Sequence, residues 1–250
     1  MNPVSILPLG GIPAVRPGDD LAALLIEAID RSGHGLRGRD VVVVCQKVVS
    51  KAEGRVVRLA EVEPGAKALA FAKKYEKDAA MVELVMREST DILRMNDGHL
   101  ITATGKGFVA ANSGIDRSNQ SAQGEVTLLP EDADRSAAAL RARLVERYGV
   151  EVAVLVTDTF GRPWRLGQID FTIGAAGMKV IDDHLGRTDW TGRELQHTVI
   201  AVADQAAAAA GMVMAKGGGI PAVLVRGLDY EPGDEDAACL VRPKAQDLFR

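Results

Sequence analysis

The chain has 250 residues, enough to bury a sizeable core, and its 47% hydrophobic and 26% charged content is that of an ordinary globular protein. Thirty basic residues against 34 acidic give a net charge of -4, and only 4% of the chain is aromatic. That balance excludes nucleic acid as an obvious main partner, both by charge and by the shortage of rings for base stacking. No apolar run reaches membrane-spanning length, and MNPVSILPLGG lacks the charged start and long apolar centre of a signal peptide. Cys45 and Cys239 make no CxxC pair and read as buried thiols, so the expectation is a cytoplasmic protein without membrane contact.

In chain order, Pro17-Gly18-Asp19-Asp20 precedes apolar residues at 21, 24, 25, 28 and 29, predicting a helix with an acidic start that is over by residues 33–38. Residues 41–45, VVVVC, form a short apolar strand, and residues 46–54, QKVVSKAEG, read as its exit, carrying two lysines. A helical stretch runs over 66–89 with a break near Lys77, and residues 92–111 read as a hairpin around Asp97-Gly98 and Gly105-Lys106-Gly107. NSGIDRSN, residues 112–119, is a loop. Residues 136–148 are an amphipathic helix and 152–156 a buried strand, after which VTDTFGRPWRLGQ is taken as the loop that leaves it. Apolar, glycine-punctuated sequence returns at 169–182, followed by a polar stretch to 195. An alanine-rich helix over 199–214 and the glycine run 217–219 lead to a last strand at 222–225. Strands and helices mix without strict alternation, so the expected fold class is mixed α/β (α+β) rather than a doubly wound sheet.

The chemistry gathers where strands end. Asp116 and Asn119 lie in NSGIDRSN, Asp158 and Thr159 in VTDTFGR, and Lys47 and Lys51 in QKVVSK. Two carboxylates and a hydroxyl make an oxygen-only donor set, suited to Mg²⁺ or Mn²⁺ rather than zinc, and lysines with glycine-rich backbone suit phosphate oxygens. Each residue also has a plainer reading: Asp116 as a turn residue, Asp158 as a cap, the lysines and Arg162, Arg165, Arg187 and Arg193 as solvated charge, and 217–219 as a turn. Neither GxxxxGK[ST] nor GxGxxG is present, so a nucleotide here would bind without a P-loop or a Rossmann fingerprint. Of the histidines, only His184 beside Asp183 stands next to an acid.

GIPAVRPGDDLAALL, VVVVCQKVVSKAEGR, NSGIDRSN, VTDTFGRPWRLGQ, GRTDWTGRELQHTVIAVAD and GIPAVLVRG occur in this order. Together they closely resemble the coenzyme F-420:L-glutamate ligase family (F-420-0:gamma-glutamyl ligase), over about Ile6 to Arg250. The resemblance implies a GTP-dependent ligase that joins L-glutamate to the lactyl carboxylate of a deazaflavin precursor of coenzyme F-420. It further implies gamma-linked extension, a divalent cation (Mg²⁺ or Mn²⁺, with K⁺ as a further candidate) and an intertwined homodimer. On the same basis residues 1–250 are one gamma-glutamyl ligase unit, with two interleaved subdomains as an open arrangement and no C-terminal nitroreductase-like domain.

Carried over position by position, the resemblance makes Asp116, Asp158 and Thr159 metal ligands and catalytic residues. Ile12, Pro13, Ala14, Val15, Gln46, Lys47, Lys51 and Asn119 would line the GTP, together with Met214, Ala215, Lys216, Gly217, Gly218, Gly219 and Ile220. Lys216 stands where an acidic ligand for a second metal is expected, in a loop one residue shorter, and a lysine there can meet phosphate directly. Gln46 replaces a small hydroxyl residue common at its position. Two rival readings use the same residues: a metal-dependent nucleotide phosphatase, and a non-catalytic module that binds GTP or a deazaflavin.

Overall fold

The computed structural model describes residues 3–120, 122–214 and 217–247. Ala215 and Lys216, both expected in the nucleotide loop, therefore lie outside the described residues. In chain order come β1 (Ser5–Leu9), α1 (Leu21–Ser32), β2 (Val41–Cys45), α2 (Gln46–Ala52), β3 (Val56–Arg58), α3 (Ala66–Tyr75) and α4 (Ala79–Arg87). There follow β4 (Asp91–Asn96), β5 (His99–Ala103), β6 (Val109–Ala111), β7 (Glu125–Thr127) and α5 (Ala133–Tyr148). The chain closes with β8 (Ala153–Arg162), β9 (Arg165–Ala176), β10 (Asp182–Asp183), β11 (Val199–Ile200), α6 (Val202–Gly211) and β12 (Ala222–Arg226). The mixed α/β expectation holds. None of the described helices is long and apolar enough to cross a membrane.

The main sheet has five strands in the order β1-β12-β2-β8-β9, in which only β2 and β8 run parallel. The valine run of β2 explains its central place. Val42 and Val44 enter one core with α1 and α5, while Val41 and Val43 enter another with α6. All four are fully buried, as a strand covered on both faces must be. A third core joins α3 and α4 to Leu100, Ile115 and Val126.

Helix boundaries follow their caps. Asp20 accepts from Ala23 N at 3.0 Å, and Asp132 accepts from Arg135 N at 3.1 Å. The second cap starts α5 three residues earlier than the apolar periodicity predicts, at Ala133. Asp78 caps α4 and places the break between α3 and α4 at 76–78, as expected near Lys77.

Several expectations are corrected. The exit from β2 is helical over Gln46–Ala52, which the sequence reading did not assign: Gln46, Val49 and Ser50 bury one helical face, and Ser50 Oγ donates to Gln46 Oε1 at 2.9 Å across one turn. VTDTFGR is not a loop. β8 continues through it to Arg162, paired with β9, and the chain turns at 162–165, where Trp164 takes a positive φ of 62°. Residues 92–111 form three strands rather than one hairpin. The alanine-rich helix is confined to Val202–Gly211, and residues 217–219 form a turn.

Candidate functional site

The parallel pair β2–β8 ends side by side, with Cys45 opposite Thr157. From that edge α2 leaves with Lys47 and Lys51, while β8 continues into Asp158 and Thr159. The segment NSGIDRSN is brought to the same edge by β7: Asp116 and Thr127 exchange both backbone hydrogen bonds at 2.9 Å. The Gln120 side chain reinforces this by donating to Asp116 O and accepting from Thr127 Oγ1, each at 2.9 Å.

These elements enclose a cleft of about 390 Å³. Ile12, Pro13, Ala14, Val15, Gln46, Lys47, Lys51, Asp116, Asn119, Asp158, Thr159, Met214, Gly219 and Ile220 all line it. Of the described residues that the resemblance assigns to the metal or the GTP, only Gly217 and Gly218 are absent from its wall; Arg162, Arg165, Arg187 and Arg193 do not line it either. Gln46 contributes little polar surface, being 2% exposed with its side-chain carbonyl accepting from Ser50.

Lys47 Nζ sits 2.7 Å from Asp116 Oδ2 and donates to Ser118 Oγ at 2.6 Å. Lys51 Nζ donates to the Asn119 carbonyl at 2.6 Å. The lysines thus tie α2 to the Asp116 loop. An ammonium has three donors, so Lys51 keeps protons to offer an anion. Burial works against ionised Asp116, yet the Lys47 and Ser118 hydrogen bonds win and hold its carboxyl below the usual aspartate range. Burial, then the charge of Lys47, pulls the Lys51 ammonium below the ordinary lysine value.

Sequence reasoning missed five residues in this wall, and Val48 and Pro221 bring no side-chain heteroatom to it, unlike the other three. Asp170 accepts a hydrogen bond from Thr159 Oγ1, and Thr157, 1% exposed, keeps a buried hydroxyl with no partner. Cys45 is the third, its thiol pushed up mainly by burial. Asp170 had no local signal. It arrives through the β8–β9 register, which sets Thr159 opposite Asp170. Glycine makes room for it: a Cβ on Gly211 would fall 1.9 Å from Asp170 Oδ2.

Residues 11–227 match the family described as F420-0:Gamma-glutamyl ligase. This chain belongs to that family. A Coenzyme F420:L-glutamate ligase of Methanothermobacter thermautotrophicus is 40% identical over 250 residues, covering 99% of each chain. Relatives of the same name from Methanopyrus kandleri (97% of this chain, 100% of the relative) and Archaeoglobus fulgidus (99% and 96%) are each 42% identical. The match to the F420-0:gamma-glutamyl ligase family spans every segment of the cleft, from Ile12 to Ile220.

In this family member the cleft's oxygen donors fit a hard divalent cation. Among the described residues no three His, Cys, Asp or Glu side chains stand together as a self-sufficient metal site. Asp116, Asp158 and the Thr159 hydroxyl therefore suit an ion that completes its shell with phosphate oxygens and water, as Mg²⁺ does. The unpartnered Thr157 hydroxyl adds one further oxygen to the same wall. His184 does not join them; its Nε2 lies 2.6 Å from Asp182 in a surface turn. Nor does Arg187, which pairs with Asp182 at 3.2 Å.

Proposed function

We propose that this ligase uses GTP to activate the terminal carboxylate of a deazaflavin acceptor and then couples it to L-glutamate. The carrying observation is the convergence, in one cleft of a chain of this family, of two carboxylates, a hydroxyl and two lysines from three separated segments. The relatives' names supply glutamate and the deazaflavin cofactor. The lysines, the oxygen donors and Gly219 in the cleft wall support a nucleoside triphosphate.

A carboxylate is a poor electrophile until it acquires a leaving group. In the proposed first step a carboxylate oxygen of the acceptor attacks the γ-phosphorus of GTP, the bond to the β-phosphate oxygen breaks, and GDP leaves. The glutamate amine then attacks the acyl phosphate, inorganic phosphate departs with the bonding pair, and the amine proton passes to solvent. Lys47 and Lys51 orient the phosphates, and Asp116, Asp158 and Thr159 would hold the divalent cation. When bound, that cation supplies positive charge against the phosphoryl oxygens. Asp170 fixes the Thr159 hydroxyl so that its lone pairs are turned away from its own proton acceptor.

Mass spectrometry of a reaction holding the protein, unglutamylated precursor, L-glutamate, GTP and Mn²⁺ tests this reading. A product heavier by one or more glutamyl units, formed only with GTP and metal, is the expected result. Steady GTP loss without a mass change would make the protein a phosphatase instead.

The Lys51 shift gives a pH test of the phosphate role. A lysine holds phosphate while charged, below its pKa, and kcat/KM for GTP reports the free enzyme's groups. With that pKa lowered by burial and Lys47, activity should fall as pH rises at values below those of an ordinary lysine. Lys51→Arg, which stays charged, should move that alkaline limb upward. An identical limb in both proteins would remove Lys51 from phosphate binding.

The proposed homodimer has support on the surface. Trp164, Leu166 and Trp190 are 84%, 99% and 96% exposed, on the β8–β9 turn and the polar stretch after β10. Large apolar side chains left bare in this way mark interaction surfaces. Sedimentation should give twice the 26.5 kDa chain mass; a monomer at micromolar concentration would refute the assembly.

A further inference from the structure

Beside the nucleotide cleft lies a second cavity, of about 320 Å³, where β4–β6 meet the β8–β9 ribbon and α6. That volume falls in the range of roughly 300–1,000 Å³ usual for small-molecule sites. The chain has only five phenylalanines, and Phe108, Phe160 and Phe171 all line this one cavity. Phe160 and Phe171 are stacked, with ring centroids 4.5 Å apart and planes at 22°.

Thr172, Asp204, Arg242 and Asp247 interrupt the apolar wall, and the first two lie beside the stacked rings on β9 and α6. Asp204 of α6 accepts from the Thr172 backbone N–H at 2.9 Å through Oδ1, and no lysine or arginine pairs with it among the described residues. Burial pushes its carboxyl up, against the pull of the Thr172 N–H and hydroxyl. Thr172 is 1% exposed, and its Oγ1 has no hydrogen bond of normal geometry. A part-buried carboxylate with no cationic partner and a buried hydroxyl without a hydrogen bond of normal geometry are costly, and a ligand that supplies a donor and an acceptor relieves both.

The cavity is tied to the cleft by the ribbon itself. Phe160 follows Thr159, Phe171 follows Asp170, and Phe171 lies opposite Asp158 in the β8–β9 register. Thr159 and Asp170 alternate to the other face of the ribbon, but Asp158 shares the face of the rings, so a ligand held on them can send a tail toward Asp158 at the cleft.

We propose that this cavity holds the flat heteroaromatic ring of the acceptor, stacked on Phe160 and Phe171, with a ring N–H donating to Asp204 and a ring carbonyl accepting from Thr172. The identity of the ring rests on the ligase reading above. A deazaflavin carries a pyrimidinedione edge with an N–H between two carbonyls, which matches one acceptor beside one donor. Stacking on phenylalanine accounts for the apolar faces of the same ring system.

The test uses a deazaflavin chromophore without phosphate, lactate or carboxylate, titrated by fluorescence against the full-length protein. Wild type should bind it saturably. Asp204→Asn keeps an acceptor for Thr172 N but can present an amide donor to the ring N–H, and should weaken binding about tenfold, the scale of one charge-assisted hydrogen bond. Phe171→Leu keeps most of the volume and should weaken it about fivefold through lost stacking. Affinity for a fluorescent GTP analogue should stay within about twofold of wild type in Asp204→Asn, which reports an intact cleft. No saturable binding to wild type, or equal ring affinity in all three proteins, overturns the ring site. The two readings separate cleanly. Glutamyl transfer by wild type together with unchanged ring affinity in the variants sinks the ring site alone. Variant-sensitive ring binding without glutamyl transfer upholds the ring site and sinks the ligase reading.

Discussion

Asp158→Asn should lower kcat for glutamyl transfer about 10³-fold while leaving the melting temperature within about 2 °C of wild type. The side chain hardly changes size, so β8 keeps its pairing opposite Phe171. What changes is charge. An amide is a far weaker ligand for a hard cation than a carboxylate, and the charge such a cation supplies to a phosphoryl oxygen is worth several kcal/mol. At 1.36 kcal/mol per tenfold, about 4 kcal/mol corresponds to the stated loss. Mn²⁺ binding followed by electron paramagnetic resonance should weaken in parallel, and this readout does not depend on turnover. A variant that kept kcat within about threefold of wild type would remove Asp158 from the metal site, whatever the fate of Asp116.

The same residue shows what could be read from the sequence and what could not. Asp158 and Thr159 stood out because polar groups follow an apolar run, and the structure does place them in the cleft. Their backbone was misread because Asp, Gly and Pro punctuate the segment like a loop. Strand character there is decided by a partner, β9, more than by local propensity. Asp170 was invisible for the same reason: nothing near it in the chain marks it, and only the register sets it opposite Thr159. The β2 valines carried their own signal, since a run of four with no polar face must be covered on both sides. The short strands β1, β3 and β7 did not, because three to five residues give too little periodicity. β7 matters most of these, as its bridge to Asp116 carries that carboxylate to the cleft.

Helix α2 is an omission instead. Residues 46–54 were read only as the exit from β2, and the helical spacing of the groups that are in fact buried, Gln46, Val49 and Ser50, was not used. The correction has a functional consequence. On a helix Lys47 and Lys51 are one turn apart and face the same way, so both reach the Asp116 loop, Lys47 to Asp116 and Ser118, Lys51 to Asn119. On a strand the two residues would also share a face, but some 13 Å apart at about 3.3 Å per residue, too far to serve one phosphate chain end.

Gly174→Ala should be the most destabilising small substitution on the ribbon, costing about 3 kcal/mol and lowering the melting temperature by roughly 6–12 °C. Gly174 of β9 lies opposite Val156, at the bulge where β8 turns toward Asp158. A Cβ there would stand 2.3 Å from both the carbonyl carbon and oxygen of Ala133 and 2.6 Å from its Cβ. The first two are backbone atoms of the first turn of α5, and that turn cannot swing aside. The Asp134 carboxylate accepts from Ala175 N at 2.9 Å and from Ala237 N at 2.8 Å, and it pairs with Lys106 at 3.2 Å. Relief of the clash requires β9 and α5 to separate, which breaks these bonds inside a buried junction and loosens the bulge above Asp158 and Thr159. Gly161→Ala on the same ribbon is the matched control: its Cβ would meet nothing within 4 Å, so stability should stay within about 0.5 kcal/mol of wild type. If thermal unfolding showed the two alanine variants equally stable, close packing of α5 on β9 would not be what holds the ribbon, and with it Asp158 and Asp170, in place.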